Sequence, residues 1–199
     1  MFYWIAYFFL WLLSKIFFPL TVHGRNYIPP SGNVIIASNH ISNLDPIILG
    51  LAYRRRISYL AKDTLFKNKI FSWVLFHVST FPVKRNTADI GALREALKRL
   101  SRGGSLVMFP EGTRKSTMGE KEPQQGIGFL AVKSGVPVIP AYILGSDKVL
   151  PDGAKWLTPG KITVLLGEPI AFARPNKDYA HISSELMERI DSLKSSLKS

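Results

Sequence analysis

The sequence contains no cysteine among its 199 residues. This absence excludes disulfide bonds, a cysteine nucleophile and any zinc site built on thiolates. Acidic residues are also scarce, with 14 Asp and Glu against 26 Lys and Arg, so the formal net charge is +12. A surplus of this size predicts an anionic partner, which could be nucleic acid, anionic lipid or a phosphorylated substrate.

Polar low-complexity sequence is missing as well, since hydrophobic residues make up 46% of the chain and charged residues 20%. This composition excludes a disordered chain, and the length is that of one domain with or without an appendage. The mean hydropathy of +0.09 is high for so basic a protein. Because apolar and basic character together favour a membrane surface, we expect anionic phospholipid, and not nucleic acid, as the partner.

A long apolar run begins the chain, where Lys15 is the single charged residue among residues 1–20. The first 18 residues hold nine aromatic side chains but neither the basic start nor the small-residue cleavage site of a signal peptide. As a helix they would be about 27 Å long, barely enough for a hydrocarbon core of about 30 Å. We interpret residues 1–19 as a membrane-associated helix that dips into the bilayer or lies shallow in it, without spanning it fully. The alternative is a helix that packs against the domain.

Beyond this run, apolar stretches of strand length alternate with helical patterns. Several of the stretches are continuously apolar, which is typical of strands buried on both faces of a parallel sheet. The sequence therefore predicts an α/β fold with a largely parallel central sheet flanked by helices. The predicted strands cover residues 33–37, 57–61, 77–83, 105–109, 137–143 and 161–166, and the predicted helices cover residues 45–53, 64–77, 88–102, 126–134 and about 178–197.

A histidine and an aspartate follow the first of these strands, in the segment SNHISNLDP at residues 38–46. His40 could take a proton from a substrate hydroxyl, and Asp45 could fix the histidine tautomer and stabilise the imidazolium. No serine or cysteine with a nucleophile-elbow motif accompanies the pair, so we expect the activated hydroxyl to belong to the substrate. The alternatives are that Asp45 caps the helix that begins there and that His40 is a structural hydrogen-bonding residue.

A second polar segment, FPEGTR at residues 109–114, also follows an apolar strand. Gly112 allows backbone N–H groups to approach a ligand closely, and the Arg114 guanidinium matches the geometry of a phosphate. Glu111 could accept hydrogen bonds from substrate hydroxyls or hold the loop. The alternative is a polar turn that carries a surface Glu–Arg pair.

Basic residues lie at the carboxyl ends of two further predicted strands. The segment FPVKR ends with Lys84 and Arg85, and Lys62 follows the strand at 57–61. Because the carboxyl ends of parallel strands meet at one edge of a sheet, these side chains are candidates for an anion-binding site. The alternative is that they are solvated strand-end residues.

Taken in order, the segments NHISNLD (39–45), FPVKR (81–85), FPEGTR (109–114) and VPVIP (136–140) closely resemble the four sequence blocks of the 1-acylglycerol-3-phosphate acyltransferase family. The resemblance covers roughly residues 20–170, and the His–Asp block together with the EGTR block is specific. It implies a glycerol-3-phosphate acyltransferase-like α/β fold. With the apolar run, it divides the chain into a membrane-associated helix at 1–19 and an acyltransferase domain at 20–199.

The resemblance also implies roles for individual residues. His40 would deprotonate an acceptor hydroxyl, which attacks an acyl thioester, and Asp45 would support His40. The acceptor's glycerol phosphate would be bound by Arg85, Glu111, Gly112, Thr113 and Arg114, to which we add Lys62. We expect no metal and no bound cofactor, because acyl-CoA or acyl carrier protein serves as a co-substrate. The expected activity is transfer to the sn-2 hydroxyl of 1-acyl-glycerol-3-phosphate, giving phosphatidic acid at the cytoplasmic face of the cell membrane.

Two alternatives to this function remain open. Relatives often carry a lysine shortly before the glycine that opens the next helix, whereas this chain has Pro123-Gln124-Gln125-Gly126. The acceptor could therefore be another lysophospholipid, glycerol 3-phosphate or an amino-acid lipid. A non-catalytic membrane-binding module is the second alternative, on charge and aromatic content alone. The aromatic and basic segment 64–77 could form a second membrane surface, or its aromatic side chains could belong to the core or line an acyl-chain tunnel.

Overall fold

The computed structural model describes residues 1–84, 89–112, 124–172 and 177–195. Within these ranges the strands are β1 Leu20–His23, β2 Ile35–Ser38, β3 Ile57–Lys62, β4 Thr80–Val83, β5 Ser105–Met108, β6 Val138–Leu144 and β7 Ile162–Leu166. The helices are α1 Phe2–Phe17, α2 Asp45–Tyr53, α3 Lys69–His77, α4 Ile90–Ser101, α5 Gly126–Ser134, α6 Ser146–Val149 and α7 Tyr179–Ser195.

The strands form one sheet in the order β1-β7-β6-β2-β5-β3-β4. The five strands from β6 to β4 are parallel to one another, whereas β7 pairs antiparallel with β6 and β1 pairs parallel with β7. The predicted α/β fold with a largely parallel sheet is thus confirmed. All five parallel strands end at the same edge of the sheet, and β2 lies in the middle of the set.

The sheet separates two apolar cores because successive side chains of a strand point to opposite faces. Ile36 of β2 belongs to the core beneath α1 and α2. Its neighbours Ile35 and Ala37 belong to the core beneath α4, α5 and α7. Every residue of β2 is buried, which explains why this strand has no polar alternation in the sequence.

The first helix, α1, packs on the domain along one side. The Tyr3 hydroxyl donates to the Arg55 carbonyl and accepts from the Ile57 N–H, each at 3.3 Å. Phe18, directly after the helix, has an exposed fraction of 0%. The opposite side of α1 exposes large apolar side chains, namely Trp4, Ile5, Phe8, Phe9, Leu12 and Ile16. Within the described part of the chain, no helix combines the length and apolar composition needed to cross a membrane.

The prediction of one helix over residues 64–77 is wrong in its first part. A short 3₁₀ turn covers Asp63–Phe66, and α3 begins only at Lys69. Asn68 separates the two because its backbone is extended and its side-chain oxygen accepts from the Phe71 N–H at 3.0 Å. An asparagine N-cap of this kind starts a new helix.

We predict that replacing Phe18 by alanine destabilises the whole domain. The ring is fully buried in the core beneath α1 and α2, and removing such a ring costs about 3–5 kcal/mol. Phe8→Ala is the matched control, since this ring is 62% exposed and should change the unfolding free energy by less than about 0.5 kcal/mol. Denaturant unfolding measures both. Equal, small effects would show that the end of α1 is not docked in solution.

Candidate active site

The parallel strands bring chemically useful side chains to one edge of the sheet. Each of the five strands contributes a residue at or just after its carboxyl end, namely His40 after β2, Phe109 after β5, Lys62 at the end of β3, Lys84 after β4 and Ser146 after β6. Ligand sites in parallel α/β sheets lie beyond this edge. The topology therefore assembles, from separate parts of the chain, the segments that the sequence singled out.

His40 and Asp45 lie in direct contact within the turn between β2 and α2. His40 Nδ1 is 2.9 Å from Asp45 Oδ2, and the residues are 6% and 0% exposed. The N–H groups of Ile41 and Ser42 donate to the same Oδ2 at 2.7 and 2.8 Å. The turn therefore folds around the carboxylate and holds it against the imidazole.

The alternative in which Asp45 caps α2 is wrong. The N-cap position is occupied by Leu44, and Asp45 is itself the first helical residue, followed by Pro46. The carboxylate points back into the preceding turn, where its donors are the N–H groups of residues 41 and 42 rather than those of the helix.

The contacts of His40 define which ring nitrogen is available for chemistry. An ionised carboxylate only accepts hydrogen bonds, so the neutral imidazole that suits this contact has its proton on Nδ1 and its lone pair on Nε2. The imidazole also stacks on Phe109, with ring centroids 4.1 Å apart and planes 18° from parallel. Asp45 and Phe109 together fix both the tautomer and the orientation of the ring.

Asn39 anchors this turn to the neighbouring strand β6. Its side-chain amide donates to the Ile143 carbonyl at 3.0 Å and accepts from the Ile143 N–H at 2.7 Å. Its buried side chain thus continues the pairing of β2 with β6 past the last strand residue. The sequence analysis assigned no role to this side chain, although its position next to His40 in the NHISNLD segment could have indicated one.

The backbone directly after β5 turns at Gly112, and Gln124 lies against this turn. The Gly112 N–H donates to the Phe109 carbonyl at 2.9 Å, and the Gln124 N–H donates to the Pro110 carbonyl at 2.9 Å. Gly112 has a φ of +67°, and a Cβ there would collide with the Gln124 side chain. The positive φ favours glycine at this position, and a larger residue would also require the end of the Gln124 side chain to move. Glu111 beside Gly112 is buried, with 7% exposure.

The remaining predicted residues fall into two groups. Lys62 is exposed and borders the same cavity as His40. Arg85, Thr113 and Arg114 lie outside the described residues.

Asp89 links the end of β4 to the start of α4. Its carboxylate accepts from the Lys84 N–H at 2.8 Å and from the Ala92 N–H at 3.0 Å, so that it caps α4. These two hydrogen bonds lower the pKa of Asp89 below its usual value. Lys84 thereby stays next to the edge of the sheet, where it borders the cavity.

A cavity of about 1580 Å³ connects these features. Its polar lining includes His40, Lys62, Lys84, Asp89, Gln124 and Gln125, and its apolar lining includes Tyr7, Leu10, Ile47, Leu51, Val74 and Leu75. The apolar part lies between α1, α2 and α3. In the part of the chain that the structure describes, no three His, Asp or Glu side chains are grouped to hold a metal ion.

Comparison with known proteins identifies the family of this chain. A family model described as "Acyltransferase" matches residues 19–144. The chain is 30% identical to the 1-acyl-sn-glycerol-3-phosphate acyltransferase of Bacillus subtilis, over 82% of this chain and 78% of that protein. It is 27% identical to 1-acyl-sn-glycerol-3-phosphate acyltransferase LPAT1, chloroplastic, of Arabidopsis thaliana, over 88% of this chain and 50% of that protein. The chain thus spans about half the length of the plant and algal relatives it matches.

The fold has a solved counterpart. The crystal structure of the 1-acyl-sn-glycerophosphate acyltransferase PlsC from Thermotoga maritima superposes with a TM-score of 0.75 at 28% sequence identity, covering 90% of this chain and 72% of that one. The resemblance seen in the four sequence blocks is therefore confirmed along most of the chain, and the protein belongs to the acyltransferase family typified by the 1-acyl-sn-glycerol-3-phosphate acyltransferases.

Proposed function

We propose that this protein transfers a fatty acyl group from acyl-CoA or acyl carrier protein to the sn-2 hydroxyl of 1-acyl-glycerol-3-phosphate, giving phosphatidic acid. The observation that carries the proposal is the buried His40–Asp45 pair, which opens onto a cavity with one polar and one apolar part. The Bacillus subtilis and Arabidopsis thaliana relatives, which are named as 1-acyl-sn-glycerol-3-phosphate acyltransferases, support the same reaction.

The proton route follows from the hydrogen bonds of His40. Nε2 accepts the proton of the acceptor hydroxyl as the oxygen attacks the thioester carbonyl carbon. Asp45 stabilises the imidazolium through the Nδ1–H bond. The tetrahedral intermediate then collapses, the C–S bond breaks, and the leaving thiolate takes the proton from Nε2. General-base catalysis of this kind contributes about 10²–10⁴-fold, so positioning and oxyanion stabilisation must supply the rest.

The cavity suits substrates that carry a long chain and a charged head. Its volume of about 1580 Å³ exceeds the roughly 300–1,000 Å³ of common small-ligand pockets. The apolar part can take acyl chains, while Lys62 and Lys84 supply positive charge to the cavity that His40 also lines. We propose Lys62, Glu111 and Gly112, together with Arg85, Thr113 and Arg114, as the acceptor-binding set. No metal or cofactor enters this scheme.

A second candidate function is the same acyl transfer to a different acceptor, and the position of Gln124 favours it. This side chain stands against Gly112 and lines the cavity, in the segment where relatives often carry a lysine. A neutral amide there provides less charge for a phosphate than an ammonium group does. Another lysophospholipid, glycerol 3-phosphate or an amino-acid lipid would then be acylated by the same chemistry. An acceptor panel with one acyl-CoA separates these candidates.

We further propose that α1 and α3 hold the protein on the cytoplasmic face of the cell membrane. The exposed side of α1 is joined by exposed apolar residues of α3, namely Ile70, Phe71, Trp73 and Phe76. The two helices meet where Phe2 contacts Trp73, at 4.9 Å between ring centroids. Lys15, Lys67 and Lys69 border this surface in sequence, which suits an anionic leaflet. Phe71 and Val74 also line the cavity, so a substrate chain would have a short path from the bilayer.

A non-catalytic membrane module is less well supported. Such a protein has no need of a buried histidine–carboxylate pair with three donors on one carboxylate oxygen. Nucleic acid is not an expected partner, because the positive charge accompanies an exposed apolar surface.

We predict that His40→Ala and Asp45→Asn each lower turnover by about 10²–10⁴-fold in a folded protein. Asparagine keeps the shape of the carboxylate but cannot offset the charge of the imidazolium. The measurement is transfer of labelled acyl-CoA to lysophosphatidic acid, with circular dichroism to check the fold. Near-normal turnover of Asp45→Asn would remove the carboxylate from the mechanism.

We predict that Arg85→Ala and Arg114→Ala raise the KM for lysophosphatidic acid more than the KM for the thioester. A hydrogen bond to a charged group contributes about 1.5–3 kcal/mol, which corresponds to roughly 10–150-fold. Arg102→Ala is the control, since Arg102 is exposed at the end of α4, near the opposite edge of the sheet. Equal rises in both KM values would indicate that the arginines hold the loops rather than the acceptor.

We predict that Phe8→Ser weakens binding to anionic vesicles by about 10–100-fold, as expected for losing about 1.5–3 kcal/mol of apolar transfer free energy. Ile90→Ser is the control, because Ile90 is also exposed but lies on α4, across the sheet from α1. Co-sedimentation at low and high salt measures both. Equal binding by both variants would exclude α1 from the membrane contact.

A further inference from the structure

The Asp45 carboxylate uses its two oxygens differently. Oδ2 accepts from His40 Nδ1 and from the N–H groups of Ile41 and Ser42. Oδ1 accepts from the hydroxyl of Ser146 at 2.6 Å. This last distance is typical of a charge-assisted O–H···O⁻ hydrogen bond, which is about twice as strong as a neutral one.

Ser146 reaches the carboxylate from a different part of the chain. It is the first residue of α6, directly after β6, and its exposed fraction is 0%. Gly145 makes the turn with a φ of +86°, and a Cβ at that position would collide with the Lys161 carbonyl. Since β6 pairs with β2, the turn brings Ser146 beside Asp45 from 101 residues away.

We propose that Ser146 is a positioning residue for acyl transfer, which sets the orientation of the Asp45 carboxylate and through it the His40 ring. The role rests on the proposed function, since it supposes that His40 is the general base. Three donors hold Oδ2, and Ser146 holds Oδ1 of a side chain that has no exposed surface. Without the Ser146 hydroxyl, Oδ1 would lose this hydrogen bond and the carboxylate would be free to shift toward other donors, so that Oδ2 would lose its alignment with Nδ1.

The hydroxyl also suits the charge changes of the reaction. Asp45 has to remain an anion while His40 gains a proton, and it does so without contact with water. The Ser146 hydroxyl donates a hydrogen bond to that anion. Because a serine hydroxyl is not acidic, the negative charge stays on the carboxylate facing the imidazolium.

The test uses Ser146→Ala, Ser146→Cys and Ser146→Thr in the full chain, assayed with lysophosphatidic acid and acyl-CoA in micelles. We expect Ser146→Ala to lower kcat by about 10–100-fold, about 1.4–2.7 kcal/mol of activation free energy, with both KM values within about twofold of the parent protein. Ser146→Thr keeps the hydroxyl and should recover most of kcat. Ser146→Cys has a similar shape but a weaker donor, so its kcat should lie between those of the alanine variant and the parent protein.

Ser105→Ala is the matched control for the loss of a buried hydroxyl. Ser105 is buried at the amino end of β5, where its hydroxyl pairs with Tyr53 at 2.7 Å and accepts from the Val34 N–H at 3.2 Å. Its removal should lower the melting temperature but leave kcat within about twofold. If Ser146→Ala likewise affects only melting, Ser146 is structural and the proposal is wrong.

A second readout is independent of activity. With ¹⁵N-labelled histidine, NMR of the parent protein should show the His40 proton on Nδ1, and Ser146→Ala should shift part of the population to the Nε2–H tautomer. The His40 signal is assigned by its loss in His40→Ala. An unchanged tautomer in Ser146→Ala overturns the proposal even where kcat falls. If the parent protein acylates no acceptor, the proposed function fails, and the NMR comparison still decides whether Ser146 positions the pair.

Discussion

A buried carboxylate that needs hydrogen-bond donors on both oxygens is the constraint on which this site depends. An isolated carboxylate inside a protein is strongly unfavourable, and only charge partners and donors make it tolerable. Asp45 obtains them from its own turn, from His40 and from Ser146 after β6. The requirement therefore couples the local conformation of residues 40–45 to the pairing of β2 with β6. Asn39 strengthens the same coupling through Ile143.

The sheet provides the rigidity that such a site requires. β2 is buried on both faces and lies between β5 and β6, so the turn that follows it is flanked by loops of two neighbouring strands. The β5 loop contributes Phe109 to the face of the imidazole. Because this ring and the carboxylate constrain His40 from different directions, the histidine side chain is held without any contact from substrate.

The two sides of α1 differ in their surroundings and in their roles. One side buries Tyr3 and leads to Phe18 in the core, which gives the helix a defined place on the domain. The other side exposes large apolar residues, which in water is unfavourable unless a partner covers them. The neighbouring α3 extends this apolar surface and also walls the cavity. Under the proposed function, α1 thus contributes to core stability, to membrane contact and, together with α3, to substrate access.

Local patterns in the sequence determined much of the fold, whereas the contacts between segments came only with the tertiary structure. The helices at 45–53 and 126–134 have the predicted bounds, and the apolar runs became strands of a largely parallel sheet, because periodicity and turn residues act over short range. The separation of His40 and Asp45 by five positions also sufficed to predict their contact. The sequence could not decide whether Asp45 caps α2, because the choice depends on where its donors lie. Nor could it indicate Ser146 or the stacking of Phe109 on His40, since these contacts follow from the strand order β6-β2-β5. That order is set by packing between residues far apart in the chain, which leaves no local signature in the sequence.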